Sequence, residues 1–155
     1  MQNNLPTRKR NRLKSFDYGS SQAYFITVCT AGKECLLWEN GKEPQTSDDP
    51  LPLSEYGRIV QASIDGIGKH YSDVEVACHT VMPNHVHLVL IIHKATTSVS
   101  TVIGQMKRFA STQAGIPLWQ KSFYDHVIRN DSDYEHIAEY IYLNPIRWVK
   151  DEYHG

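Results

Sequence analysis

VMPNHVHLVLIIH, residues 81–93, decides the reading of the fold. Along an extended strand, successive side chains alternate between two faces. Val86, Leu88, Leu90 and Ile92 therefore form one face, and His85 and His87 stand side by side on the other. Beyond the pair the histidine face continues as Val89 and Ile91, so the strand is apolar on both sides and is expected at the centre of a sheet. Met82-Pro83-Asn84 suits a tight reversal, and residues 74–81 are strand-like, which predicts an antiparallel pair.

Working outward, residues 23–30 (AYFITVCT) are aromatic and β-branched and read as a first strand. Within residues 53–70, Tyr56, Ile59, Val60, Ser63, Ile64 and Ile67 recur at helical spacing. Val99, Val102, Ile103, Met106, Phe109 and Ala110 mark a second amphipathic helix. Residues 123–128 make a weak fourth strand, interrupted by Asp125 and His126. Residues 132–143 read as a last helix, with Ser132-x-x-Glu135 as a capping box. Strand, helix, strand, strand, helix, strand, helix is the split βαβ order with one helix added. It predicts an α+β sandwich on an antiparallel sheet.

The chain has 155 residues, enough for a single domain. A basic arm covers about residues 1–16, and a Gly-, Pro- and Asp-rich surface excursion covers about residues 39–52. Hydrophobic residues at 41% and charged residues at 21% exclude wholesale disorder or a fibre. The longest apolar runs, residues 23–26 and 88–92, fall far short of the ~20 residues of a membrane helix. The opening MQNNLPTRKRNR lacks the apolar stretch of a signal peptide, so the expectation is a cytoplasmic protein without a membrane partner. Cys29, Cys35 and Cys78 make an odd set without CxxC spacing, which fits a reducing compartment.

A net charge of −1 argues against nonspecific wrapping of long duplex, whose affinity comes from many phosphate contacts. The layout is uneven, however: Arg8, Lys9, Arg10, Arg12 and Lys14 crowd into seven positions. Such an arm fits a grip on a short nucleic acid, or simply a solvated tail.

Two imidazoles on one face of a buried strand need a reason, since each unsatisfied buried polar group costs roughly 1–3 kcal/mol. A shared divalent cation satisfies both; hydration at a strand end is the plainer alternative. His93 lies ~20 Å along the strand from His87, too far for a third ligand. His79, ahead of the turn, is a weaker candidate.

EHIAEYIYLNPIR, residues 135–147, is the other informative stretch. Around Ile137, the side chains of Tyr134, Ala138 and Ile141 share a buried face, and Tyr140 and Asn144 stack on its edge with His136 earlier in the row. Pro145 disfavours helical geometry in the residue before it, so Asn144 is expected at the helix end, where its amide can coordinate or cap. Tyr140 can reach a metal held by another element, or sit at the boundary with its hydroxyl in water. Tyr142 points ~200° away and shares no role with it. A His-His-amide set leaves open coordination positions, the layout of a catalytic metal. Its mixed nitrogen and oxygen donors suit manganese or magnesium, and zinc is also compatible. With a phenol at hand the natural chemistry is phosphoryl transfer. A free phenol titrates near ~10, so a water or His136 has to take its proton.

MPNHVHLVL resembles the histidine motif of the HUH single-strand nucleases, and the chain is most similar to their single-tyrosine transposases, in the branch associated with REP palindromes. The resemblance runs along nearly the whole chain, through RNRLKSFDY (10–18), AYFITVCT, the histidine motif, LWQKSFYDHVIRNDSDY (118–134) and EYIYLNPIR (139–147). By this likeness His85 and His87 match the metal-binding histidines and Tyr140 the nucleophile. Asn144 stands where relatives carry the amide taken as third ligand. The resemblance further implies a ferredoxin-like fold with the tyrosine on its additional C-terminal helix, and a magnesium or manganese ion. The implied substrate is single-stranded or hairpin DNA near the nucleoid, nicked and rejoined through a 5′-phosphotyrosine that leaves a free 3′-hydroxyl. Some relatives pair as homodimers that exchange tyrosine helices and others act as monomers, so both states stay open.

In that picture Arg8, Lys9, Arg10 and Arg12, with Lys107 and Arg108, are candidates for backbone phosphate. Phe16, Tyr18 and Trp119 are candidates for stacking on unpaired bases. Trp119 reads equally well as core, and Lys107 and Arg108 as a solvated helix face. Two other functions compete with the enzyme. A non-catalytic hairpin-binding module would keep the fold without the chemistry, and a structural or metal-storage protein would leave the arm and the late helix unexplained.

Overall fold

Residues 81–93 turn and run back as the alternation requires, with the Met82 N–H donating to the His85 carbonyl at 2.8 Å across the reversal. The computed structural model describes residues 21–150; Arg8, Lys9, Arg10, Arg12, Phe16 and Tyr18 lie outside the described residues. Four strands, β1 (Gln22–Cys29), β2 (Val74–Val81), β3 (His85–Ile92) and β4 (Tyr124–Ile128), form an antiparallel sheet in the order β2-β3-β1-β4. This is the ferredoxin-like order of an α+β sandwich. β3 is flanked on both sides, and all eight of its residues are buried.

The helices are α1 (Glu55–Asp65), α2 (Ile67–His70), α3 (Val99–Ala114) and α4 (Asp131–Leu143). One face of the sheet presents Ile26, Val28, Val86, Leu88 and Leu90 to Val60 and Ile64 of α1 and Val102, Ile103 and Met106 of α3. The opposite face presents Ala23, Cys78, Val89, Ile91 and Ile128 to Tyr134, Ile137, Ala138 and Ile141 of α4. Apolar stripes at helical spacing thus find two separate sheet faces to cover. Among the described residues, no helix is long and apolar enough to cross a membrane.

Several boundaries differ from the sequence pattern for local reasons. The periodic stretch at residues 53–70 divides at Gly66 into α1 and α2. Its start is fixed by Ser54, whose hydroxyl accepts from the Gly57 N–H at 3.0 Å. Gly57 tolerates no side chain, because a Cβ there would stand 2.0 Å from the Leu37 carbonyl oxygen. α4 is capped by Asn130, whose Oδ1 accepts from the Asp133 N–H at 2.8 Å, in place of the Ser132–Glu135 box. Asn130 is extended, with φ −158°, as a capping residue must be. Residues 39–52 form a loop closed at its base by the Trp38–Leu53 bridge and by the Glu39 N–H donating to the Pro52 carbonyl at 2.7 Å.

Candidate active site

His85 and His87 lie on the α4 face, at the end of β3 that follows the turn, with 0% and 1% of their surface exposed. Their ring centroids are 4.6 Å apart. The register aligns Thr80 of β2, His87 of β3 and Thr27 of β1 in a row, all on one face. His87 Nδ1 is 2.9 Å from Thr27 Oγ1, and His85 Nδ1 is 2.8 Å from Asn84 Oδ1. The Asn84 amide is oriented by its Nδ2, which donates to the Lys33 carbonyl at 3.2 Å. Its Oδ1 can only accept, so His85 donates to it from Nδ1. Burial, and secondarily the neighbouring His85, push the His87 pKa well below 6.5. His87 is therefore a neutral imidazole, the form that ligates a metal.

α4 brings a phenol to this pair. The Tyr140 ring is 5.3 Å from the His87 ring and meets Phe25 edge-on at 6.2 Å. It remains 38% exposed, so a substrate can approach it. Two turns further on, Trp148 lies 6.2 Å from His85 and 6.2 Å from Trp38. Asn144 falls midway in this row and is 3% exposed. Its Oδ1 is buried and finds no hydrogen-bond partner among the described residues.

The geometry around Pro145 departs from expectation. Asn144 keeps helical angles (φ −56°, ψ −43°), and a 3-10 turn, Pro145–Lys150, continues the coil with the Arg147 N–H donating to the Asn144 carbonyl at 3.1 Å. Proline is at home in the first turn of a helical segment, where its missing N–H is not needed. The row begun by Tyr140 therefore extends to Trp148.

Two imidazoles and an amide oxygen make a mixed donor set suited to a divalent cation with positions left open. The buried Asn144 oxygen is the atom such a cation would satisfy. Among the described residues, no group of three or more His, Cys, Asp or Glu side chains is arranged to hold a metal. Among those residues a third donor for the pair would be of another type, as Asn144 is.

Other candidates are placed elsewhere. His93, at the far end of β3, contacts Ser21 Oγ at 2.7 Å and Glu75 at 3.2 Å. His79 contacts Gln61 of α1, on the opposite face of the sheet. His136 is exposed on α4, and Arg108 is exposed on α3. Lys107 Nζ donates to the Gln120 and Lys121 carbonyls at 2.8 and 3.2 Å, which ties α3 to the segment before β4. Burial lowers its pKa. Trp119 is half-buried, with its indole N–H on the Lys107 carbonyl at 3.2 Å.

Thr27, Asn84, Phe25 and Trp148 were missed by sequence reasoning. Asn84, directly before the first histidine, carried a signal that was read as turn chemistry alone. Thr27 carried none, because strand register is not local.

No family model matches the chain. A Haemophilus influenzae protein described as uncharacterized is 27% identical over 94% of this chain and 92% of its own length. An Escherichia coli K12 REP-associated tyrosine transposase is 33% identical over 49% of this chain and 48% of its own. A putative REP-associated tyrosine transposase of Haemophilus influenzae is 25% identical over 61% of this chain, and the alignment spans 62% of that relative. Among solved structures, a REP-associated tyrosine transposase bound to a REP hairpin superposes with a TM-score of 0.62 at 23% identity, over 94% of this chain and 77% of that one. A putative transposase from Deinococcus radiodurans R1 gives 0.54 at 15% identity, over 84% of this chain and 94% of that one. In sequence over part of its length and in fold over nearly all of it, the chain is similar to the REP-associated tyrosine transposases.

Proposed function

We propose that the protein is a transposase that nicks and rejoins single-stranded hairpin DNA through Tyr140. The observation that carries this reading is the exposed Tyr140 ring lying 5.3 Å from the buried His87 ring. His85, His87 and Asn144 would hold a magnesium or manganese ion. When bound, that ion supplies Lewis-acid polarisation of the scissile phosphate.

The chain's own groups do the rest. Asn84 and Thr27 hold the two imidazoles by their Nδ1 atoms, which fixes ring orientation. Phe25 and Trp148 wall the pair on either side. The Tyr140 oxygen attacks phosphorus as the bond to the 3′ oxygen breaks. The phenol proton passes to water or to His136, and the departing 3′ oxygen takes up a proton to become a hydroxyl. A 5′-phosphate stays on Tyr140 until another 3′-hydroxyl attacks it, forming the new strand and releasing the phenol.

Hairpin DNA is the substrate proposed because a solved transposase similar to this chain in fold is bound to a REP hairpin. Arg8, Lys9, Arg10 and Arg12 supply phosphate contacts from the arm, and Arg108 adds one from α3. Lys107, held against two carbonyls, ties α3 to the segment before β4 and adds its charge beside Arg108. Arg10→Ala is expected to weaken hairpin binding and reduce its salt slope by about one phosphate contact. The decisive assay is incubation with hairpin DNA and manganese followed by a denaturing gel. A covalent adduct from the natural chain and none from Tyr140→Phe supports the reading; equal adduct from both removes the nucleophile. Hairpin binding that survives chelation without any cleavage would leave a binding module.

A further inference from the structure

Asn144 is accompanied by a second buried oxygen without a partner. Thr80 Oγ1 is buried and has no hydrogen bond among the described residues, and the residue is 1% exposed. Thr80 pairs with His87 across β2 and β3, so its side chain stands on the His87 face of the sheet. His87 is thus flanked by two threonines, Thr27 from β1 and Thr80 from β2. They are not equivalent. Thr27 engages Nδ1 at 2.9 Å, which turns that edge of the ring toward β1. In an imidazole, Nε2 lies on the other edge, beside Cδ2. It therefore leans toward β2, the side on which Thr80 stands.

α4 runs along the same side, with the Tyr134 hydroxyl 4.0 Å from Cys78 Sγ, one alternation before Thr80 on β2. Asn144 closes α4. The ligating edge of His87 and the Thr80 hydroxyl therefore stand on one flank of β3, on the face that α4, with Asn144 at its C-terminal end, packs over.

We propose that Thr80 belongs to the metal site, its hydroxyl accepting a hydrogen bond from a water in the shell of the cation that His85, His87 and Asn144 would hold. This rests on the proposed function of those three residues. A neutral hydroxyl on a rigid β-branched side chain is well suited to orienting such a water, because its χ1 is fixed by the strand. Outer-shell partners of this kind are worth about 10- to 100-fold in metal affinity.

Manganese(II) titration of the full chain, followed by the loss of the free-ion paramagnetic resonance signal, reads this directly. The natural chain is expected to bind, and His87→Ala to lose binding. Thr80→Val, which keeps the shape and removes the hydroxyl, should bind about tenfold more weakly. Thr80→Ser should stay within about threefold of the natural chain. A melt in chelator separates this from a structural role: Thr80→Val should melt at the same temperature as the natural chain or higher, since it loses only a hydroxyl that the metal-free fold leaves unsatisfied.

Manganese affinity in Thr80→Val equal to that of the natural chain overturns the inference. So does a Thr80→Ser variant as weak as Thr80→Val, which would show that a retained hydroxyl does not support the metal. If the natural chain and His87→Ala differ while Thr80→Val matches the natural chain, the metal reading stands and Thr80 alone is excluded. If the natural chain takes up no manganese, both fall together.

Discussion

The two faces of β3 are equally buried and built on opposite terms. Toward α1 and α3 the strand shows Val86, Leu88, Leu90 and Ile92, all inside one continuous apolar cluster. Toward α4 it shows Val89 and Ile91 in a second cluster, and then His85 and His87 at the end where α4 stops covering it with apolar groups. The first face is a surface for stability alone. Among the described residues the second leaves two buried oxygens, Thr80 Oγ1 and Asn144 Oδ1, without a hydrogen bond on the face of the two imidazoles, an arrangement with a cost of about 1–3 kcal/mol per orphaned group. A fold retains such a cost where a ligand is to be held. The same strand thus separates the residues that make the sheet from the residues that would make the chemistry.

Substitutions on the two faces should break this contrast in opposite ways. The largest effect belongs to the α4 side: Tyr140→Phe and His87→Ala should each reduce the DNA adduct to background. Tyr140→Phe should also leave the unfolding midpoint within ~0.5 kcal/mol, as expected for a group 38% exposed. Leu88→Ala on the other face should do the reverse, lowering stability by about 2–5 kcal/mol in denaturant while leaving metal affinity of the folded protein unchanged.

Acid sharpens the contrast further. His87 is held neutral well below 6.5, so the unfolded chain takes up a proton that the folded chain refuses. Stability in chelator should therefore fall as pH drops below about 6.5, by up to about 1.4 kcal/mol per unit, and level off once the folded ring protonates. His87→Gln should flatten that slope in a pH series of chemical melts. Asn144→Ala should change metal-free stability by no more than about 1–2 kcal/mol and abolish most of the stabilisation that manganese gives the natural chain. At the small end, Asp48→Ala removes the acceptor of the Tyr142 hydroxyl on the exposed loop and should cost less than about 1 kcal/mol by thermal melt.

Sequence periodicity carried the sheet and its helices because each is set by spacing within a few turns or a few strand residues. β3 was legible from alternation alone, and β4 was weak because it is an edge strand whose Tyr124, Asp125 and His126 are exposed. The partners of the histidines were not legible. Thr27 reaches His87 across 60 residues of chain, and only the β1–β3 register brings it there. Trp148 was hidden behind Pro145, which reads as a stop signal but here opens a 3-10 turn. Thr80 reads in sequence as one more β-branched strand residue; that its hydroxyl is buried without a hydrogen bond among the described residues is a property of the packed sheet. Position on a face is a local property, whereas what faces it is a property of the assembled sheet.

The central claim is that a cation belongs at His85, His87 and Asn144, within reach of the Tyr140 hydroxyl. Crystals soaked in manganese and measured for anomalous scattering test it most directly. The account predicts a single strong peak at roughly 2–2.3 Å from both Nε2 atoms and from Asn144 Oδ1. A peak bound elsewhere, or at the histidines with the hydroxyl of Tyr140 turned away in every copy of the chain, would contradict it.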